Sequence, residues 1–323
     1  MDTSARGSAV ILSDGRPGHY NQSIALCNSL GFSYRVAHVR FVSPFGRLLS
    51  YLFDALRVYR PWIFSSEPLP ESPCACVVST GSRTYYPNKV LSRWLGIPSV
   101  AVLCPRGYRL DFDCVVAPAY DNPPVRENVV TVPVSLCNSD PASYDRASAE
   151  FRERYQPSGP GVGVIIGGDN AVSHLDPAVL WRYIEQIFAL TPDHEHWVTT
   201  SPRTSVAVEA VVDAFPFDFK LIYSRDTYNP TPAFIALCDR LFVTSDSASM
   251  ISECVSFGRA AVDILMNEPK RKSSKFTEFI SELVARDAVH VFDGTLGRAD
   301  KKIGLAVELE NVRRCISHKS SPR

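Results

Sequence analysis

Asp14 and His19 stand close together in "SDGRPGHYNQ" (13–22), an acid and an imidazole in one glycine-punctuated stretch that follows an apolar run. Imidazole is the side chain whose ordinary pKa suits proton transfer near neutral pH, and a nearby carboxylate can orient it, so His19 and Asp14 are the candidate general base and its partner. Gly15 and Gly18 permit a tight turn, from which Arg16 and Gln22 would project ahead of the next helix. The same stretch also reads as a plain strand-to-helix turn. A second loop, "STGSRTYYPN" (79–88), centres on Gly81 and carries Arg83; a polar cap for the next helix explains it as well as a ligand contact does.

In the second half, "GVGVIIGGDNAVSHLD" places Gly167, Gly168, Asp169 and Asn170 just beyond a strand-like run. Backbone N–H groups in such a turn can approach a phosphate with no side chain in the way. "TTSPRTS" follows the next run and offers Ser201, Arg203 and Thr204. The longest candidate is "LFVTSDSASMISECVSFGRAAVDIL" (241–265), in which Ser245, Asp246, Ser247, Ser249 and Met250 lie between a strand and a helix that carries Glu253. Hydroxyls and free N–H groups at a helix start can hold an anion, and Glu253, about one turn on, can accept hydrogen bonds from a sugar diol. Asp246 opposes a phosphate unless it points away or caps the helix, and an ordinary N-cap at Ser247 or Ser249 remains open.

Other signals are weaker. "GPGVG" has its glycines before the strand, where a dinucleotide fingerprint would have them after it. "DFD" (111–113) precedes its strand, where metal-binding acid pairs would follow one, so no metal is expected. His194 and His196 flank Glu195 with no further ligand nearby and are expected at the surface.

These stretches need a scaffold that brings strand ends together. Short apolar runs alternate with helical patterns along the chain, the grammar of an α/β protein whose parallel strands are covered on both faces. The alternation pauses in a polar, proline-bearing stretch near 139–160 and then restarts. Two Rossmann-like lobes follow, 1–157 and 158–323, and in such sheets ligands bind beyond the carboxyl ends of the strands.

Composition narrows the function. The 323 residues are 45% hydrophobic and 21% charged with a formal net charge of +0, which gives no bulk attraction to nucleic acid. The start lacks the longer apolar core of a signal peptide, no run is long enough to span a membrane, and the 9 cysteines read as buried thiols of a cytoplasmic protein. The stretch that begins at Arg40 and ends at Phe64 is different. Phe45, Leu48, Leu49, Leu52, Phe53 and Leu56 fall at helical spacing beside Arg47, Arg57, Arg60, Tyr59 and Trp62. Packing on the first sheet and peripheral contact with a membrane explain that pattern equally well.

Taken together, "DGRPGHYNQ", "STGSRT", "FDCVVAPAYD", "IIGGDN", "TSPRTS" and "YNPTPAFIALCDRLFVTSDSASMISECVSFGRAAV" resemble the "mitochondrial fission" or "elongated mitochondria" family, also described as glycosyltransferases of the GT-B type. The resemblance runs over about 13–266, and the last block is its most specific part. It implies two lobes facing a central cleft, the acceptor on the first and a nucleotide-sugar donor on the second. Gly167, Gly168 and the serine turn would then face the diphosphate, Glu253 the donor ribose, and the loop of Asp14 and His19 the reaction centre. It further implies no cofactor or metal, a final helix that packs back on the first lobe, and a cell-envelope glycan or lipid-linked acceptor at the cytoplasmic membrane face. A nucleotide-sugar hydrolase or epimerase, or a non-catalytic membrane-peripheral adaptor, stays open beside the transferase.

Overall fold

The computed structural model describes residues 7–69, 73–107, 109–137, 140–270 and 275–317. They form two compact units, 1–139 with 305–323, and 140–304.

The first unit contains β1 (Ser8–Ser13), α1 (Pro17–Leu30), β2 (Ser33–Phe41), α2 (Pro44–Ala55), β3 (Phe64–Ser66), β4 (Cys76–Thr80), α3 (Tyr85–Leu95), β5 (Ser99–Val102), β6 (Cys114–Pro118) and β7 (Val129–Val132). Its sheet runs β3-β2-β1-β4-β5-β6-β7, parallel except for the edge strand β3. Successive residues of a strand point to opposite faces, and β1 is apolar on both: Ala9 and Ile11 pack with Leu26 and Leu30 of α1, whereas Val10 and Leu12 pack with Tyr86 and Val90 of α3. That double burial is why these runs read as continuous rather than alternating.

The second unit contains α4 (Pro141–Tyr155), β8 (Gly161–Ile165), β9 (Ser173–His174), α5 (Pro177–Leu190), β10 (Glu195–Thr199), α6 (Val206–Ala214), β11 (Phe219–Leu221), α7 (Thr231–Leu237), β12 (Cys238–Thr244), α8 (Ala248–Ser256), β13 (Ala261–Leu265), β14 (Glu268–Pro269), α9 (Lys275–Ala285) and β15 (His290–Val291). The main sheet runs β11-β10-β8-β12-β13-β15, all parallel, and β9 pairs with β14 in a small antiparallel ribbon. Both main sheets therefore share the doubly wound order in which the first strand lies inside and the chain reverses direction beside it. The last helix, α10 (Ala306–Ser317), belongs to the first unit, where Val312 and Ile316 join the α1 side of the core.

The boundary falls between 139 and 140, earlier than the 157 read from the polar stretch. Phe151 of α4 is the reason. It is fully buried against Trp197 and Phe234, with ring centroids 4.9 and 5.6 Å away, so a helix that looks like a linker is part of the second core.

Candidate functional site

In each unit the chain reverses beside the first strand, and each reversal gathers residues singled out above. In the first unit that point lies between β1 and β4. Helix α1 begins at Pro17, so the loop after β1 is short, and Gly18, His19 and Gln22 lie on the helix rather than ahead of it. The Asp14 side chain is almost fully buried, and both its oxygens lie 3.3 Å from His19 Nδ1. Oδ1 also accepts from Arg16 N at 3.3 Å. One ring nitrogen is thus fixed by a carboxylate, and Nε2 has no hydrogen-bond partner among the described residues.

Gly81, at the end of β4, holds the other face of this imidazole. A Cβ placed there would lie 2.4 Å from His19 Cε1, and φ is +90°, a backbone state that disfavours any side chain. Glycine at 81 therefore makes room for His19. Around it, Ser23 and Thr80 share a buried hydroxyl contact of 2.7 Å, and Thr84 donates back to the carbonyls of Thr80 and Gly81. Arg83 is exposed, whereas Gln22 is buried with Oε1 unpaired among the described residues, so it does not project from the loop as expected. A groove of about 320 Å³ opens on the other flank of β1, lined by Ser13, Gly15, Arg16, Tyr20, Val36 and His38.

In the second unit the reversal lies between β8 and β12. Its hub is Asp246, whose carboxylate is buried. It accepts from Thr244 Oγ1 at 2.7 Å, Gly168 N at 3.1 Å and Arg203 Nη2 at 2.7 Å. Gly167 N donates to Thr244 Oγ1 at 2.8 Å. The two glycine N–H groups are therefore used inside the protein and are not the free phosphate donors expected from sequence. A Cβ on Gly167 would lie 2.2 Å from Asp246 Oδ2, and one on Gly168 2.1 Å from the Arg203 carbonyl. The glycine pair exists to let this carboxylate and the 201–204 turn close in.

That turn is self-contained: Arg203 N donates to Ser201 Oγ, and Thr204 Oγ1 both accepts from Ser201 N and donates to the Gly167 carbonyl. Arg203 remains partly exposed, anchored to Asp246 on one side. Ser245 is buried, and its hydroxyl accepts from Asn267 N at 2.9 Å, so it is a tie between β12 and β13 rather than a ligand donor. Ser247 is the N-cap of α8 and accepts from Met250 N. The N–H groups of Ala248 and Ser249 have no acceptor among the described residues, and Ser249 is exposed.

Glu253 follows Ser249 by four residues on α8, a spacing that puts both on one helix face. Tyr144 of α4 donates to Glu253 Oε1 at 3.2 Å and stacks on Phe257, with centroids 4.8 Å apart. Burial raises the Glu253 pKa above its ordinary value, and the Tyr144 hydrogen bond partly offsets that. Oε2 has no hydrogen-bond partner among the described residues.

Asp169 and Asn170 serve another purpose. Asp169 accepts from Leu175 N at 3.0 Å and meets His174 Nδ1 at 2.7 Å, contacts that pull its pKa down to about 2. Asn170 Oδ1 accepts from Val172 N and Ser173 N, and its Nδ2 donates to the Asp246 carbonyl. They shape the turn into β9 instead of the strand-end surface. His196, expected at the surface, is buried, stacked on Phe188 at 3.9 Å and bonded through Nε2 to Thr191. Tyr144, Thr244 and Asn267 were not foreseen; Tyr144 lies 109 residues from Glu253, and no local pattern connects them.

The chain is thus a two-unit Rossmann-like α/β protein with polar residues concentrated at the carboxyl edge of each sheet. It belongs to the mitochondrial fission ELM1 family, whose model matches residues 17–315. No curated protein matches it in sequence. Among solved structures it is similar to a UDP-GlcNAc 2-epimerase from Methanocaldococcus jannaschii (11% identity, 96% of this chain and 99% of that one, TM-score 0.48). Others are a UDP-GlcNAc 2-epimerase from Neisseria meningitidis bound to UDP-GlcNAc (11%, 96% and 90%, 0.45) and MurG from Acinetobacter baumannii (13%, 88% and 85%, 0.43).

Proposed function

We propose that the protein is a metal-independent glycosyltransferase of the GT-B type, which moves a sugar from a nucleotide donor to a glycan or lipid-linked acceptor. The observation that carries this reading is the edge of the second sheet: a partly exposed Arg203, the open start of α8 and the half-buried Glu253 on the Ser249 face of that helix. Pairing with Arg203 neutralises Asp246, which removes the repulsion a diphosphate would otherwise meet. Arg203 and the Ala248 and Ser249 N–H groups would hold the diphosphate and stabilise the leaving phosphate as charge develops on it. Glu253 Oε2 would accept from a ribose hydroxyl while Tyr144 fixes the other oxygen.

His19 is the proposed base. Asp14 keeps Nδ1 engaged, so Nε2 is the atom that would take the proton from an acceptor hydroxyl, and Asp14 would stabilise the imidazolium that forms. The released alkoxide-like oxygen then forms the new glycosidic bond as the bond from the sugar to the nucleoside diphosphate breaks, and the electron pair leaves on the phosphate. The same residues also fit donor hydrolysis, with water in place of the acceptor. Donor turnover measured by nucleoside diphosphate release, with and without added cell-envelope lipid or glycan fractions, separates the two. Release stimulated by an acceptor and lost in His19→Ala supports transfer. Release that no acceptor stimulates supports the hydrolase, and no release with any nucleotide sugar contradicts both.

A further inference from the structure

We infer that the outward face of α2 is a docking surface for an anionic lipid bilayer. This helix is built inside out. Gly46, Ser50 and Asp54 form its buried stripe, while Phe45, Leu48, Leu52 and Leu56 face solvent, with Phe45 76% and Leu48 69% exposed. The inner stripe is fixed by charge and by a close approach. Asp54 accepts from Lys89 Nζ and Arg109 Nε, each at 2.7 Å and all three buried, and a Cβ on Gly46 would lie 2.8 Å from the Ile63 carbonyl. With Asp54 pinned there, the helix cannot roll its leucines inward. Val42 and Trp62 extend the patch: Val42 N donates to the Ile63 carbonyl, Trp62 meets Phe53 edge-on at 6.0 Å, and Trp62 is 63% exposed.

The charge carried by this stretch is mostly positive, with Glu67 beside Arg40 and Asp111 bonded to Tyr59 as the neighbouring carboxylates. Within 40–64 the cations are Arg40, Arg47, Arg57 and Arg60, all exposed, and the single carboxylate is the buried Asp54. None of the four arginines forms an ion pair among the described residues. A contiguous apolar face flanked by exposed arginines, one of them bonded to Tyr51, with an indole at its border, is complementary to acyl chains under anionic headgroups, where arginine stems lie along the apolar layer and their heads reach phosphate. Polar partners fit less well, since they would leave the leucines wet. Beside the patch, a groove of about 470 Å³ lined by His38, Arg40, Ser65, Ser66 and Glu67 opens along β2 and β3. The inference does not depend on sugar transfer and holds for an adaptor as well.

Sedimentation of the full chain with vesicles of phosphatidylcholine alone, and with an equimolar mixture of phosphatidylcholine and phosphatidylglycerol, tests it. The wild type should bind the anionic vesicles and be released by salt. Leu48→Ser with Leu52→Ser should abolish binding, and Arg47→Gln with Arg57→Gln should weaken it roughly 30-fold, the loss expected for two cations at an anionic surface. All four positions are exposed or lie on the outward face, so the variants should unfold at the wild-type temperature. Wild-type protein that ignores anionic vesicles, or leucine variants that bind as well as wild type, would overturn the inference. So would concentration-dependent self-association, seen in sedimentation velocity and lost in the leucine variant, without vesicle binding; the face would then belong to a second copy of the chain.

Discussion

Arg203 Nη2 lies 2.7 Å from the buried carboxylate of Asp246, and this pair organises the carboxyl edge of the second sheet. It accounts for three sequence features at once: an acid in the middle of a serine-rich turn, an arginine after β10, and two glycines after β8. Gly167 clears space for the acid, Gly168 lets the 201–204 turn close in, and the acid fixes the arginine at the strand ends.

Removing the acid should therefore damage the fold before it damages binding. Asp246→Ala leaves Arg203 unpaired and Thr244 Oγ1 and Gly168 N without acceptors. The partly exposed arginine can turn to water, so the cost comes from the two stranded donors, about 1–3 kcal/mol each, and urea denaturation should read a loss of that order. Arg203→Gln should lose nucleotide binding and also cost stability, because it leaves the buried Asp246 carboxylate with only Thr244 Oγ1 and Gly168 N as donors.

Asp54 should behave similarly in the first unit. Asp54→Ala strands Lys89 and Arg109 in the interior and should cost about 3–5 kcal/mol in denaturant unfolding. Burial already lowers the Lys89 pKa, so the lysine can shed its proton and soften the loss at high pH.

Glu253 gives a pH prediction. Its folded pKa is raised above its ordinary 4.5, chiefly by burial, so in the window between the two values the folded state holds more protons than the unfolded state. Stability then falls as pH rises through that window and stays lower above it. Glu253→Gln should remove this component, leaving a flatter stability profile and a neutral-pH stability equal to or above wild type. Donor affinity should fall at least tenfold in the same variant, and thermal melts across pH with and without nucleotide check both.

His19→Ala should lower turnover by about 10²–10⁴, the usual contribution of a general base, with little change in donor affinity. Gly81→Ala should mimic it in part, since the new methyl and the φ of +90° displace the imidazole. Steady-state kinetics that show the Gly81→Ala loss in kcat rather than in donor KM would place the effect on His19.

The fold was readable because β1, β4, β8 and the Leu241 end of β12 are buried on both faces and so appear as short apolar runs. Which residues collect at the strand ends was readable for the same reason. Their roles were not. Nothing local in "IIGGDN" indicates that the glycine N–H groups are consumed by Thr244 and Asp246, some 77 and 78 residues away. Nothing in "SYDRASAEFRERYQ" announces that Tyr144 reaches Glu253 or that Phe151 is core, because only one face of that helix is apolar and its composition is polar. For α2, periodicity gave the stripe but not its direction, which Asp54 decides through Lys89 and Arg109.

If Arg203, the start of α8 and Glu253 hold a nucleotide sugar, the ligand must stabilise the second unit through those residues. Thermal stabilisation of wild type, Arg203→Gln and Glu253→Ala by a panel of nucleoside diphosphates and their sugars tests it most directly. A ligand at about 100 times its Kd adds roughly 2.7 kcal/mol, a readily visible shift. The expected result is a shift for one nucleotide class that both substitutions abolish. Folded wild-type protein that no nucleotide stabilises, or a shift that survives both substitutions, would contradict it.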